Sequence, residues 1–251
     1  MASDSKLDFY FIGVDVGTGS IRAGLFRGSN GELISATSHA ITVFHHDDPS
    51  IRHYEQSSTE IWNNCCLCVK HIVKESEVNP SQIKGISFDA TCSLVAIDAD
   101  GKPVSLSLTQ DDNRNIILWM DHRAIHEAEE INKLSSEHSN VLKYVGNKVS
   151  PEMEIPKLLW TKKHLPDSWK RTQHFFDLAD FMAYKATGLD CRSLCTVACK
   201  WNFLAHTFSL EGKSGWDDEY FKAIGLEDLV ESHYAKIGGK DVGISSKIRE
   251  I

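Results

Sequence analysis

No apolar run in this 251-residue chain approaches the length of a membrane-spanning helix, and the first such run is too short for a secretory signal. Positive charge is not in excess. Lys and Arg number 27 against 35 Asp and Glu, a net charge of −8, which disfavours nonspecific binding to nucleic acid or an anionic membrane. Proline is scarce, at 6 residues, and neither a Pro-rich linker, a long repeat nor a low-complexity segment divides the chain. The cysteines number 7, an odd count without a signal sequence, which points to reduced thiols rather than a disulfide framework. These absences leave a cytoplasmic protein as the expectation, with no nucleic-acid and no membrane partner. Apolar content of 41% and charged content of 25% are ordinary for a globular chain that buries a core.

What the chain does have is concentrated in residues 13–26, GVDVGTGSIRAGLF. An apolar run leads into Asp15, a Gly-Thr-Gly-Ser turn follows, and a second alternating run, IRAGLF, leads away. The pattern predicts strand, tight turn, strand, with Gly17 and Gly19 supplying the positive φ of a short hairpin. Such a turn gathers backbone N–H groups beside the hydroxyls of Thr18 and Ser20, an arrangement suited to phosphate. Asp15 is placed to hold a Mg²⁺ riding on that phosphate. The stretch lacks the GK[ST] ending of a Walker loop and the helix of a dinucleotide fingerprint. An ordinary Gly-rich hairpin turn would read the same way.

Strands are expected over 9–16, 20–27 and 32–43, a polar loop over 44–56, and a helix from Ser57 to about residue 76. Ser57 with Glu60 is a capping-box signature for that helix. Further strands are expected at 83–87 and 94–98, and helices at 121–143, 154–164 and 177–187. Alternation over 201–208 suggests a strand, and 216–235 one or two short helices. The order is an α/β layout built on a mixed sheet flanked by helices, antiparallel at one edge.

Several constellations carry competing readings. FDATCSLVAID (88–98) sets Asp89, Thr91, Cys92 and Ser93 at a strand end, where open α/β sheets bind ligands; a plain polar connection fits as well. ILWMDHRA (117–124) offers Trp119 for a sugar to stack on and Asp121 to accept from its hydroxyls, while Asp121 also suits a helix N-cap. His122 and His126 stand four apart, yet without a third ligand they read as solvated helix residues. HHDD (45–48) reads as a solvated loop. Cys65, Cys66 and Cys68, and Cys191, Cys195 and Cys199, read as packed small hydrophobes rather than metal ligands. Lys200 closes an apolar run before Trp201; it is either held toward a cleft or a surface lysine at a helix end.

Taken together, these stretches resemble the N-terminal half of the FGGY carbohydrate kinase family, most of all its eukaryotic ribulokinase-like branch. The carrying segments are VDVGTGSIRAGLF, FDATCSLVAID, ILWMDHRA, EMEIPKLLW (152–160) and FFDLADFMAYKATG (175–188), in the family's order over about residues 9–237. The resemblance implies an actin-like, ribonuclease-H-like lobe, with a polar tail at 1–8 and a divergent tail at 238–251. It implies ATP and Mg²⁺ as cofactors and a ketopentose such as D-ribulose as the acceptor. Asp15, Gly17, Thr18, Gly19, Ser20 and Arg22 would face the ATP phosphates, with Asp15 on the metal. Trp119, Asp121 and Lys200 would line the sugar pocket, joined by Thr91, Cys92 and Glu152.

Members of the family are about twice this length. Their second lobe carries most of the adenosine pocket and the Asp base, so the resemblance leaves the catalytic base unassigned here. From about Gly239 the sequence no longer follows the family, which is the expectation for a truncated or alternatively spliced product. Asp241-Val242-Gly243 with Ser246 echoes Asp15-Val16-Gly17 with Ser20 by chance alone. A lobe without its partner would expose apolar surface and favour self-association. Three functions therefore compete. The first is a sugar kinase, the second a non-catalytic sugar- or nucleotide-binding lobe, and the third an actin-like interaction module, against which Trp119, Asp121 and Lys200 speak.

Overall fold

The computed structural model describes residues 8–48, 51–134, 137–208 and 215–239, so the tails at 1–8 and 238–251, with the Asp241 echo, fall almost wholly outside it. The described residues form two compact units. One holds residues 8–42 and 59–91, and the other 43–58 and 92–239.

The first unit is a four-stranded mixed sheet against one long helix. Strands β1 (Tyr10–Val16), β2 (Ser20–Arg27) and β3 (Leu33–Ala40) form an antiparallel meander. β6 (Ile83–Ala90) lies parallel to β1 on its other side, giving the order β3-β2-β1-β6. Alternation decides the faces. Ile12, Val14, Val16, Ile21, Ala23 and Leu25 are buried. So are Ile61, Cys65, Cys68 and Ile72, the helical stripe of α1 (Ser58–Ser76). The opposite face of β1 and β2 carries Phe11, Asp15, Arg22 and Phe26, all exposed.

The second unit is built on a five-stranded sheet, order β4-β5-β8-β7-β9, every pair antiparallel. Its strands are short: β4 (Phe44–His45), β5 (Tyr54–Gln56), β7 (Leu94–Ile97), β8 (Ile116–Ile117) and β9 (His174–Asp177). Helices α2 (Ile125–Lys133), α3 (Ser139–Leu142), α4 (Glu154–His164), α5 (Pro166–Arg171) and α6 (Leu178–Thr187) surround it. Then come α7 (Leu194–Lys200), α8 (Ala205–Phe208), α9 (Asp218–Ala223) and α10 (Glu227–Glu231). The core joins Leu94 and Phe175 of the sheet to Leu158 of α4, Val197 of α7 and an aromatic group of Trp216, Phe221 and Tyr234. Trp216 and Tyr234 stack at 5.3 Å between ring centroids.

Four local expectations are corrected. The 44–56 loop contains β4 and β5, whose side chains are too few to show a period. The helix expected over 121–143 begins only at Ile125 and is divided into α2 and α3. The strand expected over 201–208 is absent, because Asn202 takes φ +57° and the chain then turns into α8. Finally, Gly17 and Gly19 do not adopt positive φ. The turn closes instead through a bond from the Gly17 N–H to the Ser20 carbonyl at 3.0 Å, and the Gly19 carbonyl accepts from Ile41.

Candidate functional site

In the first unit, one row of side chains crosses the open sheet face. Arg22 on β2 stands opposite Asp15 on β1, and Asp15 stands opposite Asp89 on β6. On the far side Arg22 stands opposite Ser38 of β3. Arg22 Nη1 donates to Asp15 Oδ2 at 2.7 Å, with both side chains about half exposed, so the pair orients more than it stabilises. Asp15, Arg22, Ser38 and Asp89 line a groove of about 650 Å³ on this face. Its floor is cut close to the backbone by Gly13 and Gly24, and Phe26 and Leu33 form its apolar wall. A Cβ on Gly24 would come within 2.9 Å of the Phe26 ring, so glycine there is what lets the ring lie over the strand. The Gly17–Ser20 turn stands at the same end as Asp15. The Thr91 N–H donates to the Val16 carbonyl at 3.0 Å, which sets Thr91 beside this turn; the other residues expected to line a sugar pocket belong to the second unit. The sequence places Asp89 among the polar groups at the strand end of FDATCS without giving it a role, and the register sets it beside Asp15.

In the second unit, Asp121 is fully buried and saturated. Its Oδ1 accepts from the N–H and Nε of Arg123, both at 2.9 Å. Its Oδ2 accepts from the Tyr54 N–H at 2.6 Å and from Arg123 Nη2 at 2.7 Å. Arg123 goes on to the Leu106 carbonyl and Glu55, with its guanidinium 4.9 Å from the Trp160 ring centre. With four donors already bound, Asp121 holds the 118–123 turn to β5. It is not the cap of α2, whose N-cap is Ala124. Trp119, on the same turn, is 37% exposed, and its backbone N–H donates to Ser93 Oγ at 3.2 Å. Glu152 is part-exposed and lies 3.2 Å from His122 Nε2.

Lys200 ends α7 half-buried, within electrostatic reach of Cys92 and Glu154. Burial pushes the Cys92 thiol up to about 11, with Asp177 adding to the shift and Lys200 opposing it, so Cys92 is a neutral thiol rather than a nucleophile. Beneath these lie Glu154, Lys157 and Asp177, buried and unforeseen. In EMEIPKLLW the eye falls on Glu152; the polar residues set among Ile155, Pro156 and Leu158 were the better signal.

Cys65 and Cys68 pack in the core as expected, whereas Cys195 and Cys199 are exposed on α7 and Cys191 precedes it; all seven cysteines are free. Among the described residues no group of three or more His, Cys, Asp and Glu is arranged to hold a metal, and no helix is long and apolar enough to cross a membrane.

The N-terminal domain profile of the FGGY family of carbohydrate kinases matches residues 10–235. An FGGY carbohydrate kinase domain-containing protein of Danio rerio is 45% identical over 92% of the chain and 40% of its own length. A D-ribulokinase of Saccharomyces cerevisiae is 43% identical over 94% of the chain and 32% of its own length. Among solved structures, a xylulose kinase from Brucella ovis superposes with a TM-score of 0.71 at 21% identity, covering 91% of this chain and 42% of that one. The chain thus spans about two fifths or less of the length of these relatives. The fold they share is the expected actin-like one, a mixed sheet flanked by helices.

Proposed function

Since this chain belongs to the FGGY family of carbohydrate kinases, we propose that it supplies nucleotide-phosphate and sugar contacts for ATP-dependent phosphorylation of a ketopentose, D-ribulose foremost. The observation that carries the reading is the Arg22–Asp15–Asp89 row at the head of the glycine turn, lining an accessible groove. Asp15 and Asp89 are exposed carboxylates on adjacent strands, hard oxygen donors of the kind Mg²⁺ takes alongside water and phosphate. Bound there, the ion would offset phosphate charge. Gly17, Thr18, Gly19 and Ser20 give phosphate oxygens a close approach to the backbone and two hydroxyls, and Arg22 orients the Asp15 carboxylate.

On the second unit, Trp119 stacks on the apolar face of the sugar and Lys200 donates to its hydroxyls. Glu152 and Cys92 line the same side. Asp121 acts through Trp119, by fixing the turn that carries it. Phosphoryl transfer depends mainly on positioning and charge neutralisation. The base that takes the hydroxyl proton we place in the part of the relatives that this chain does not span, as the resemblance implies.

The test is ADP release and thermal shift by the purified chain with Mg-ATP and D-ribulose, L-ribulose, xylulose or glycerol. A ketopentose-dependent rise in melting temperature, lost in Trp119→Ala and Lys200→Ala, supports the reading. A chain that responds to neither nucleotide nor any sugar overturns it. Turnover abolished by Asp15→Ala would show that the chain contains its own base.

A further inference from the structure

Four buried polar atoms of the second unit have no part in the contacts described so far. Glu154 Oε1 and Oε2, Lys157 Nζ and Asp177 Oδ2 each lack a hydrogen-bond partner. Glu154 and Lys157 are 0% exposed and Asp177 1%. Glu154 and Lys157 stand one turn apart on α4 with Nζ and Oε2 separated by 3.5 Å, an ion pair without hydrogen-bond geometry. Asp177 ends β9 opposite Leu94, two residues beyond Cys92. Lys200 arrives from the end of α7 and acts on both Glu154 and Cys92.

Buried ionisable groups without hydrogen bonds cost stability, and an apolar replacement is commonly as stable or more so. A cluster of this kind next to an expected ligand-facing lysine calls for a role other than holding the fold. We propose that Glu154 is a positioning residue for Lys200: the Glu154–Lys157–Asp177 cluster sets the charge beneath the Lys200 ammonium and so tunes its grip on a polyhydroxyl ligand. The inference rests on the sugar-side reading of Lys200 given above.

The groups facing Glu154 are Lys157 on its own helix, Lys200 from α7, Asp177 from β9 and Cys92 from the turn before β7. Burial, then Glu154 and Asp180, hold Asp177 well above the usual carboxylate range. Burial raises Glu154 to about 7, with Lys157 and then Lys200 pulling it back. The charge of Glu154 thus changes near neutral pH. Ionised, it balances one of the two ammonium groups and draws Lys200 in. Protonated, it leaves two buried or half-buried cations repelling each other, and Lys200 turns to solvent.

Calorimetric titration of the purified chain with D-ribulose between pH 5.5 and 8.5 tests this. The wild-type affinity is expected to fall several-fold as pH drops through about 7. Glu154→Gln and Lys200→Met should each bind weakly at every pH without a step, and Glu154→Asp should restore one. A wild-type pH step retained in Glu154→Gln overturns the proposal. If the wild type binds no sugar at any pH, the functional reading fails separately, and the cluster is then judged by the rate of Cys92 alkylation by iodoacetamide, followed by peptide mass spectrometry. Loss of an acidic neighbour in Glu154→Gln or Asp177→Asn should speed it, and Lys200→Met should slow it. Unchanged Cys92 rates in Glu154→Gln and Lys200→Met overturn the cluster as well.

Discussion

Arg123 and Asp121 form an ion pair in which neither side chain has any exposure, with Nη2 and Oδ2 2.7 Å apart. Every oxygen position of the carboxylate is used, and the guanidinium also neutralises the buried Glu55. Removing the cation leaves two buried carboxylates facing each other. Arg123→Ala should therefore cost about 3–5 kcal/mol in a urea melt, well above a surface pair. The Trp119 fluorescence should also change, since the turn that carries the ring is held by Asp121.

The register of β1 and β6 sets Asp15 and Asp89 side by side. If both oxygens serve one magnesium site, the two substitutions should differ in degree. Asp15→Asn should abolish the nucleotide-induced thermal shift. Asp89→Asn should raise the Mg²⁺ concentration for half the shift on the order of tenfold, as expected for a partner that completes rather than founds a site. Equal responses of Asp89→Asn and wild type would remove Asp89 from the site.

Two glycines should answer alanine in opposite ways. Gly188 ends α6 at φ +71°, donating to the Tyr184 carbonyl at 2.7 Å. Gly188→Ala should cost about 1–2 kcal/mol for the left-handed conformation alone. Gly19 is not left-handed, and a Cβ there meets nothing within 4 Å. Gly19→Ala should leave the melting temperature unchanged or slightly raised, while weakening the response to Mg-ATP. A stability loss at Gly19 equal to that at Gly188 would point to a structural glycine.

Glu154 also makes a stability prediction. Its folded value of about 7 lies above the ordinary 4.5, because burial outweighs Lys157 and Lys200. The folded state then holds a proton that the unfolded state releases. The resulting stability is full below about pH 4.5 and is lost as pH rises through about 7. Asp180, raised to about 6 by burial against the pull of the Ser193 N–H and Arg192, loses its share over a lower window, from about 3.8 to 6. Glu154→Gln should melt higher than wild type at pH 8 and match it near pH 5. A variant that melts lower at both would show that the carboxylate supports the fold.

The first unit was legible because its strands are long enough to alternate and its helix long enough to repeat. Tyr10–Val16, Ser20–Arg27 and Ser58–Ser76 each carry several turns of their period. The second unit's sheet was hidden for the same reason reversed: Phe44–His45 and Ile116–Ile117 are two residues each, and pairing rather than pattern makes them strands. WNFLAHTF alternates on paper, yet Asn202 breaks the extended backbone. Of the candidate site, Asp15 and Trp119 were readable from type and place. Asp121 looked ligand-facing because nothing in ILWMDHRA says that Arg123 folds back two residues to claim it. Glu154 and Lys157 carry the spacing of a solvated helix pair, which masks the signal of the apolar residues around them.

The interleaving of the two units has a consequence for synthesis. β4 and β5 leave the ribosome before α1 and β6, yet their sheet partners β8, β7 and β9 come only after the first unit's last strand. Apart from pairing β4 with β5, the 44–56 segment must therefore wait while α1 and β6 are made behind it. Neither unit can be cut out as one continuous stretch. A nascent chain stalled near residue 100 would hold every strand of the first sheet and none of the second's pairings beyond β4 with β5. Vectorial folding would thus begin with the groove that carries Asp15, and the second unit would be the last part of the chain to gain its shape.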